Sequence, residues 1–281
     1  MRARSAVFDL YGDHLASRSG WAPVAGVVAL SRACDIAAPA TRTALHRMVA
    51  QGWLEQQARD GLRGYAVTPA ATNRLDRARA RIYAPGPRDW NGSWHTLIPQ
   101  LAGARSVRER AISALAYLGY GRLGRQVFIS PWRNPEASEV LRGMDVAYTD
   151  VYGPSVSAPQ AMAAMVWDLD HLAAQYRDFA RSLPAGQPLA ELPPEVAYPR
   201  RTDLVHRWRT FLFLDPGLPR EALPQPWPGH QARTDFLAAA AALAPAASRF
   251  VDLTLASAGA RVTAAEPDQR LSDKEQEHHE R

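Results

Sequence analysis

The 281-residue chain holds one cysteine, Cys34, and one lysine, Lys274, among its 33 basic residues. A lone thiol cannot close an intramolecular disulfide, and no zinc site built on paired cysteines can be assembled from it. Long apolar runs are also missing. The longest, Phe236 to Ala244, stops at Pro245, far below the roughly 20 residues that a membrane span needs. Met1-Arg2-Ala3-Arg4 is followed by Asp9 and Asp13 with no long apolar segment, so the start does not read as a signal peptide. There is no glycine-rich phosphate loop, no serine nucleophile elbow and no HExxH pattern. The histidines are scattered and support no triad. No catalytic residue, metal ligand or cofactor is therefore assigned. Hydrophobic residues make up 47% and charged residues 22%, a balance that excludes global disorder. The expectation is a cytoplasmic protein of two or three domains with no membrane segment.

What is present is an uneven distribution of charge. The net charge is +5. Residues 1–90 carry 13 arginines against 7 acids, residues 91–262 carry 17 against 15, and residues 263–281 carry 3 basic against 6 acidic groups. A basic block at one end of a chain favours a polyanionic partner there. The scarcity of lysine follows genome composition as readily as phosphate recognition, and it carries no weight here.

Breaks in composition divide the chain. Tyr83-Ala84-Pro85-Gly86-Pro87 reads as a linker, Tyr152-Gly153-Pro154 to Pro159 as a second break, and the five prolines of Leu183 to Pro199 as an extended connection. The expected domains are 1–84, an α/β middle domain at 90–155, a helical effector or dimerisation domain at 158–262, and a disordered acidic tail at 263–281. The fold class is α+β.

The basic segment has the clearest local pattern. Ala3 to Leu15 and Val24 to Ala33 read as two short amphipathic helices, and Asp35-Ile36-Ala37 as a tight turn. A third helix starts around Pro39, tolerated in a first turn, and ends at Gly52. Its apolar positions are Ala44, Leu45, Met48 and Val49, and its opposite face carries Arg42, Thr43, His46 and Arg47. Trp53 to Gln57 and Tyr65 to Thr68 read as strands joined by a tip, Ala58 to Gly64, which holds Arg59 and Arg63. This order predicts an N-terminal winged helix-turn-helix. Its last helix would offer Arg42, Thr43, His46 and Arg47 to base edges and phosphates in a major groove, with Arg59 and Arg63 on the backbone or minor groove. The same scaffold also serves protein–protein contacts, so an interaction adaptor stays open.

The stretch from Arg42 to Leu54 with Tyr65-Ala66-Val67-Thr68 resembles the phenylacetic acid degradation repressor family, the PaaX-like regulators. The likeness extends to Phe8 to Asp13, to Arg81-Ile82-Tyr83, to Trp208 through Pro219, and to the distinctive Leu223-Pro224-Gln225-Pro226-Trp227-Pro228-Gly229. The resemblance implies a homodimeric repressor of a catabolic pathway, bound to double-stranded DNA at a palindromic operator. It also implies release by an acyl-CoA effector, phenylacetyl-CoA in the namesake group. His46 stands where the family more often carries an apolar or different residue, which bears on the operator sequence.

In the middle segment, Trp94 to Ile98, Gln126 to Ser130 and Asp145 to Val151 read as strands, with helices at Ser106 to Leu118 and Glu136 to Arg142. A ferredoxin-like arrangement fits, and the resemblance implies one similar to a CRISPR-associated small nuclease. Such a nuclease needs a metal-holding carboxylate at the end of its first strand. Here that strand ends in Pro99-Gln100, with no carboxylate before Glu109, so nuclease chemistry is not expected. Ala161 to Leu183 reads as one continuous helix, its stripe from Met162 to Leu183 suited to a core or to a dimer seam. Further on, Arg207, Trp208 and Arg209 are candidates for the phosphates and ring of an aromatic acyl-CoA. Trp208 and Phe211 as core is the competing reading. The rival from another class is an enzyme that processes an acyl-CoA or a nucleic acid.

Overall fold

The computed structural model describes residues 1–84, 86, 89–183 and 188–264. It is an α+β chain, mostly helical, with two small antiparallel sheets. α1 (Ala3–Asp9) runs on into a π-helical turn, Leu10–His14, which closes with the Leu15 N–H on Leu10 O at 2.9 Å. β1 (Trp21–Pro23), α2 (Val24–Ala33) and α3 (Ala38–Ala50) follow, then β2 (Leu54–Arg59), β3 (Leu62–Val67) and α4 (Pro69–Ile82). α3 stops where Gly52 takes a left-handed φ of 71°. There Gly52 N–H bonds Val49 O at 2.9 Å and Trp53 N–H bonds Met48 O at 2.9 Å, so the last carbonyls are satisfied by the chain itself.

The first sheet has the order β1-β3-β2, all antiparallel. β2 and β3 meet through only two residues, Asp60 and Gly61, both at positive φ (51° and 76°), the geometry of the turn whose twist matches a hairpin. The expected tip, Ala58 to Gly64, is therefore mostly strand. Ala58 pairs with Arg63 and Arg59 with Leu62, so the two arginines sit on the strands beside the turn. Sequence inspection left β1 and α4 unassigned. β1 is three residues long, too short to show a period. α4 opens on Pro69 after Thr68, whose Oγ1 accepts the Ala71 N–H at 3.2 Å.

The second sheet comprises β4 (Ser93–Pro99), β5 (Gly121–Arg122), β6 (Phe128–Ser130) and β7 (Tyr148–Pro154). α5 (Arg105–Tyr117) lies between β4 and β5 in sequence, and α6 (Pro135–Gly143) between β6 and β7. The spatial order is β5-β6-β4-β7 with every neighbouring pair antiparallel. β5 is the element sequence inspection missed. The remaining helices are α7 (Pro159–Val166), α8 (Leu169–Arg181), α9 (Pro194–Arg209), α10 (Phe211–Leu214) and α11 (Pro228–Ala264).

Two expectations for these later helices are corrected. The single helix from Ala161 to Leu183 is two, α7 and α8, because Trp167 is extended (φ −123°, ψ 143°) and Asp168 caps α8 by accepting the His171 N–H at 2.9 Å. A dimer seam along one stripe is thereby interrupted, and Met165 stands 70% exposed. The proline-rich stretch does not stay extended to Pro199. It enters α9 at Pro194, and Pro199 lies inside the helix, where Ala197 and Tyr198 beside it are buried. α11 runs on through Pro245. By length and composition its Pro228–Gly259 stretch could cross a membrane, yet Phe236, Ala247 and Val251 along it are fully buried within the protein. α11 also takes in the first residues of the expected acidic tail. The rest of that tail, and parts of the linkers at 83–87 and 183–199, lie outside the described residues.

The chain divides into two compact units. One comprises Met1–Ala80, Gln187–His206 and Ala239–Arg281, the other Arg81–Gly186 and Arg207–Ala238. Residues 158–262, expected as one helical domain, are thus shared between both. In the first unit, Val7, Leu10, Leu30, Leu45 and Met48 pack in one core with Tyr198 of α9 and Ala247 and Val251 of α11. In the second, Leu97, Leu115, Phe128 and Leu141 form the core between sheet and helices. Aromatic rings add a second cluster there, with Tyr176 stacked on Phe211 (4.2 Å between centroids) and Trp208 on Phe236 (4.6 Å).

Charges are also buried in the first unit. Arg201 donates from Nε and Nη2 to the two carboxylate oxygens of Asp13 at 3.0 and 3.1 Å, and again to Ala240 O. His206 Nδ1 lies 2.9 Å from Asp9 Oδ2, and His14 Nε2 lies 3.2 Å from Thr202 Oγ1. Burial pushes the His14 imidazole down to about 4. Arg201 and Arg18 push the same way, and Asp13 opposes them. His14 is therefore neutral in the fold at pH values where the unfolded chain binds a proton. No stability is lost above the unfolded value near 6.5. Below it stability falls, by up to about 3 kcal/mol as the pH approaches 4. Chemical denaturation of His14→Gln at pH 7 and at pH 4.5 is the check. The variant is expected to lose much of the wild-type decline between those two values.

Candidate nucleic-acid interface

α3 sorts its residues by side. Thr41, Ala44, Leu45 and Met48 are buried, Leu45 completely. Arg42, Thr43, His46 and Arg47 are all exposed on the other side. The Thr43 hydroxyl is turned back onto its own helix and donates to Pro39 O at 3.0 Å, so three side chains on this face remain extended toward solvent with polar ends. Among the described residues no carboxylate pairs with Arg42, Arg47 or Arg63. Elsewhere in the same unit Arg18 pairs with Asp252 and Arg201 with Asp13. These two arginines, buried or half-buried in the fold, each meet an acid. Among the described residues, those on the α3 face do not.

The hairpin separates its two arginines. Arg59 is half-buried: Nε donates to Gln57 Oε1 at 2.8 Å, Nη1 donates to Ser19 Oγ at 3.0 Å, and the guanidinium lies over the Trp21 ring at 5.3 Å. Trp21 in turn donates its indole N–H to Gln57 O at 3.1 Å. Arg59 thus braces the hairpin against β1, while Arg63 is exposed. Gly64 lets β1 approach, since a Cβ there would meet Ala22 O at 2.5 Å and the Trp21 ring at 2.6 Å.

Arg207, Trp208 and Arg209 end α9 in the second unit. Trp208 is 3% exposed. It stacks on Phe236, lies edge-on to Phe179 and donates its N–H to Ile82 O at 3.2 Å. No surface of its ring is offered to a ligand in this structure. The expected ring-stacking role is corrected to a core role, because the aromatic cluster closes around it. Arg207 lies over the Phe179 ring at 5.4 Å, and both it and Arg209 are half-buried.

One constellation was not legible in the sequence. His95 on β4 is 1% exposed, with Nδ1 at 2.6 Å from the Tyr120 hydroxyl and Nε2 at 3.2 Å from Asp150 Oδ2. Arg133 also reaches Asp150, at 3.3 Å. Burial pushes the Tyr120 hydroxyl up to about 12, which keeps it protonated. Tyr120 and Asp150 lie 25 and 55 residues from His95 in the chain; the β4–β7 pairing brings in Asp150, and the β5–β6–β4 side of the sheet brings in Tyr120. With His95 and Tyr120 both buried, no substrate reaches them, and the network ties β4, β7 and the α5–β5 connection. Among the described residues no three His, Cys, Asp or Glu side chains converge as a metal site. The Cys34 thiol is pushed up to about 11 by burial, which keeps it protonated.

A helix that buries one side and holds acid-free arginines on the other stands beside an antiparallel hairpin with another exposed arginine on its second strand. Comparison with known proteins assigns the class. The family pattern described as PaaX-like protein matches residues 2–70, and that of the PaaX-like protein C-terminal domain matches residues 167–253. The chain is 30% identical to the transcriptional repressor PaaX of Escherichia coli (strain K12), over 88% of this chain and 82% of that protein. It belongs to the PaaX-like family. Among solved structures, the uncharacterized protein Rv0674 from Mycobacterium tuberculosis shares the fold, with a TM-score of 0.60, 24% identity, and coverage of 90% of this chain and 98% of that one.

Proposed function

We propose that this protein is a sequence-specific, DNA-binding transcriptional repressor that acts in the cytoplasm as a homodimer on a palindromic operator. The observation that carries the reading is the exposed, carboxylate-free face of α3, and membership of a family whose E. coli member is named as a transcriptional repressor supports it. α2, the turn around Asp35, α3 and the β2–β3 hairpin follow the order of a winged helix-turn-helix. In that geometry α3 enters the major groove, Arg42, His46 and Arg47 read base edges and phosphates, and Arg63 holds the adjacent backbone. Thr43 reaches the groove once its hydroxyl leaves Pro39 O, and Arg59 acts by bracing the hairpin. The order of the second sheet, with its strand–helix–strand–strand–helix–strand sequence, favours a ferredoxin-like middle unit that spaces the subunits. Two symmetric subunits then need half-sites about one helical turn apart, roughly 34 Å.

The effector in this reading is phenylacetyl-CoA or a related acyl-CoA. Arg207 and Arg209 remain the cations proposed for its phosphates, without Trp208. Derepression requires the effector to bind the DNA-incompetent state better than the competent one. The test is fluorescence anisotropy on the duplex upstream of the protein's own gene and on a scrambled duplex, at physiological salt, with and without phenylacetyl-CoA. Selective binding reversed by the ligand is the expected result. Selective binding indifferent to the ligand removes the effector, and equal binding to both duplexes removes the sequence-specific repressor.

A further inference from the structure

A second group of unpaired cations lies at the C-terminal end of α3. Arg4 on α1 donates from Nη2 to Gln51 Oε1 at 3.0 Å. One turn further along α1, Phe8 meets the Trp53 ring edge-on at 5.2 Å. Arg74 on α4 lays its guanidinium 5.5 Å from the centroid of the same Trp53 ring. The start of α4 is fastened to this end as well, since Thr68 Oγ1 donates to Gly52 O at 2.7 Å. Two elements, α1 and α4, thus converge on Gln51-Gly52-Trp53, and each brings an arginine.

Cations near a helix C-terminus are ordinarily explained by its dipole and its open carbonyls. Here that work is already done. Met48 O and Val49 O are bonded by the backbone of Trp53 and Gly52, Arg47 O by Gln51 N–H, and Gly52 O by Thr68. Arg4 touches the side chain of Gln51, and Arg74 uses its face on Trp53, which leaves most guanidinium N–H donors turned to water. Both arginines are exposed, and among the described residues neither has a carboxylate partner. Each is held in orientation by a neutral neighbour, with its charge unanswered. That is the arrangement expected of a preorganised phosphate contact.

We propose that Arg4 and Arg74 form a second phosphate-binding pair, which grips the DNA backbone flanking the site read by α3. It lies at the opposite end of the hairpin from Arg63. The proposal rests on the DNA-binding reading above. It assigns to these two residues affinity without selectivity, because phosphates are the same in every sequence.

The experiment uses the full chain with Arg4→Gln, Arg74→Gln and the double substitution. Anisotropy is measured on the upstream duplex and on the scrambled duplex from 50 to 200 mM salt. The double variant is expected to bind both duplexes about tenfold more weakly at low salt, with selectivity unchanged. Its loss of affinity across that salt range should be roughly tenfold smaller than that of the wild type, as removal of two phosphate contacts requires. The double variant Arg4→Lys with Arg74→Lys keeps the charge and is expected to recover most of the salt dependence, which a role confined to packing on Trp53 would not restore. Unchanged affinity and salt slope in the glutamine variants, with selective wild-type binding, overturn the phosphate pair alone. Loss of selectivity rather than affinity overturns it too. A wild type that binds neither duplex overturns the DNA reading and this pair with it.

Discussion

Replacing Arg47 with alanine is expected to weaken binding to the preferred duplex by about 1–3 kcal/mol, roughly five- to 150-fold, and to relax discrimination at one base pair. The expectation follows from its place on α3. Arg47 is exposed, pairs with no carboxylate among the described residues, and lies one position before the buried Met48. Its removal opens no cavity and orphans no buried acid, so the melting temperature should stay close to that of the wild type. Arg63→Ala, by contrast, should weaken both duplexes alike if it meets only phosphate. Anisotropy titrations on the upstream and scrambled duplexes separate the two. An Arg47→Ala variant with unchanged affinity and selectivity would remove α3 from the role of reading helix.

Replacing Trp208 with alanine is expected to cost about 3–5 kcal/mol of stability. Five neighbours account for this. The indole stacks on Phe236 with ring planes 8° apart, meets Tyr176 and Phe179, lies under Arg233 at 5.4 Å, and gives its N–H to Ile82 O. Alanine leaves a void in a cluster whose other members are held by the same ring, and it strands a buried carbonyl. Trp208→Phe keeps a ring in place and loses the hydrogen bond and part of the volume, so a smaller cost is expected. Urea denaturation of the three proteins measures the series. A Trp208→Ala protein as stable as the wild type, but deaf to phenylacetyl-CoA, would return Trp208 to the ligand.

The two substitutions mark what could and could not be read in the chain. Arg47 was placed correctly on the exposed side of a helix because the 3.6-residue period of Ala44, Leu45 and Met48 leaves it no other face. Trp208 was ambiguous for a physical reason. Arginines beside an aromatic residue look the same whether the ring meets a ligand or a core, and Phe236, which decides the matter, lies 28 residues further on. Arg59 was misplaced by a different route. The turn was read as seven residues when Asp60 and Gly61 alone close it, and the bracing group Trp21 sits on a strand too short to announce itself.

The sequence by itself determined the things that depend on near neighbours. These are the start of α3 near Pro39 and its stop just before Gly52, the sorting of Arg42, His46 and Arg47 from Ala44, Leu45 and Met48, the strands of the hairpin, and the excess of arginine in the first 90 residues. Periodicity, capping and charge are local quantities. The tertiary structure alone decided which distant segments complete each unit. Tyr198, Ala247 and Val251 close the core beneath the arginine-bearing helix, Arg201 answers Asp13 across 188 residues, and Asp150 answers His95 across the β4–β7 ladder. A buried stripe requires a partner but does not name one. Its partner is chosen by the shape and charge of surfaces that meet only when the chain is folded.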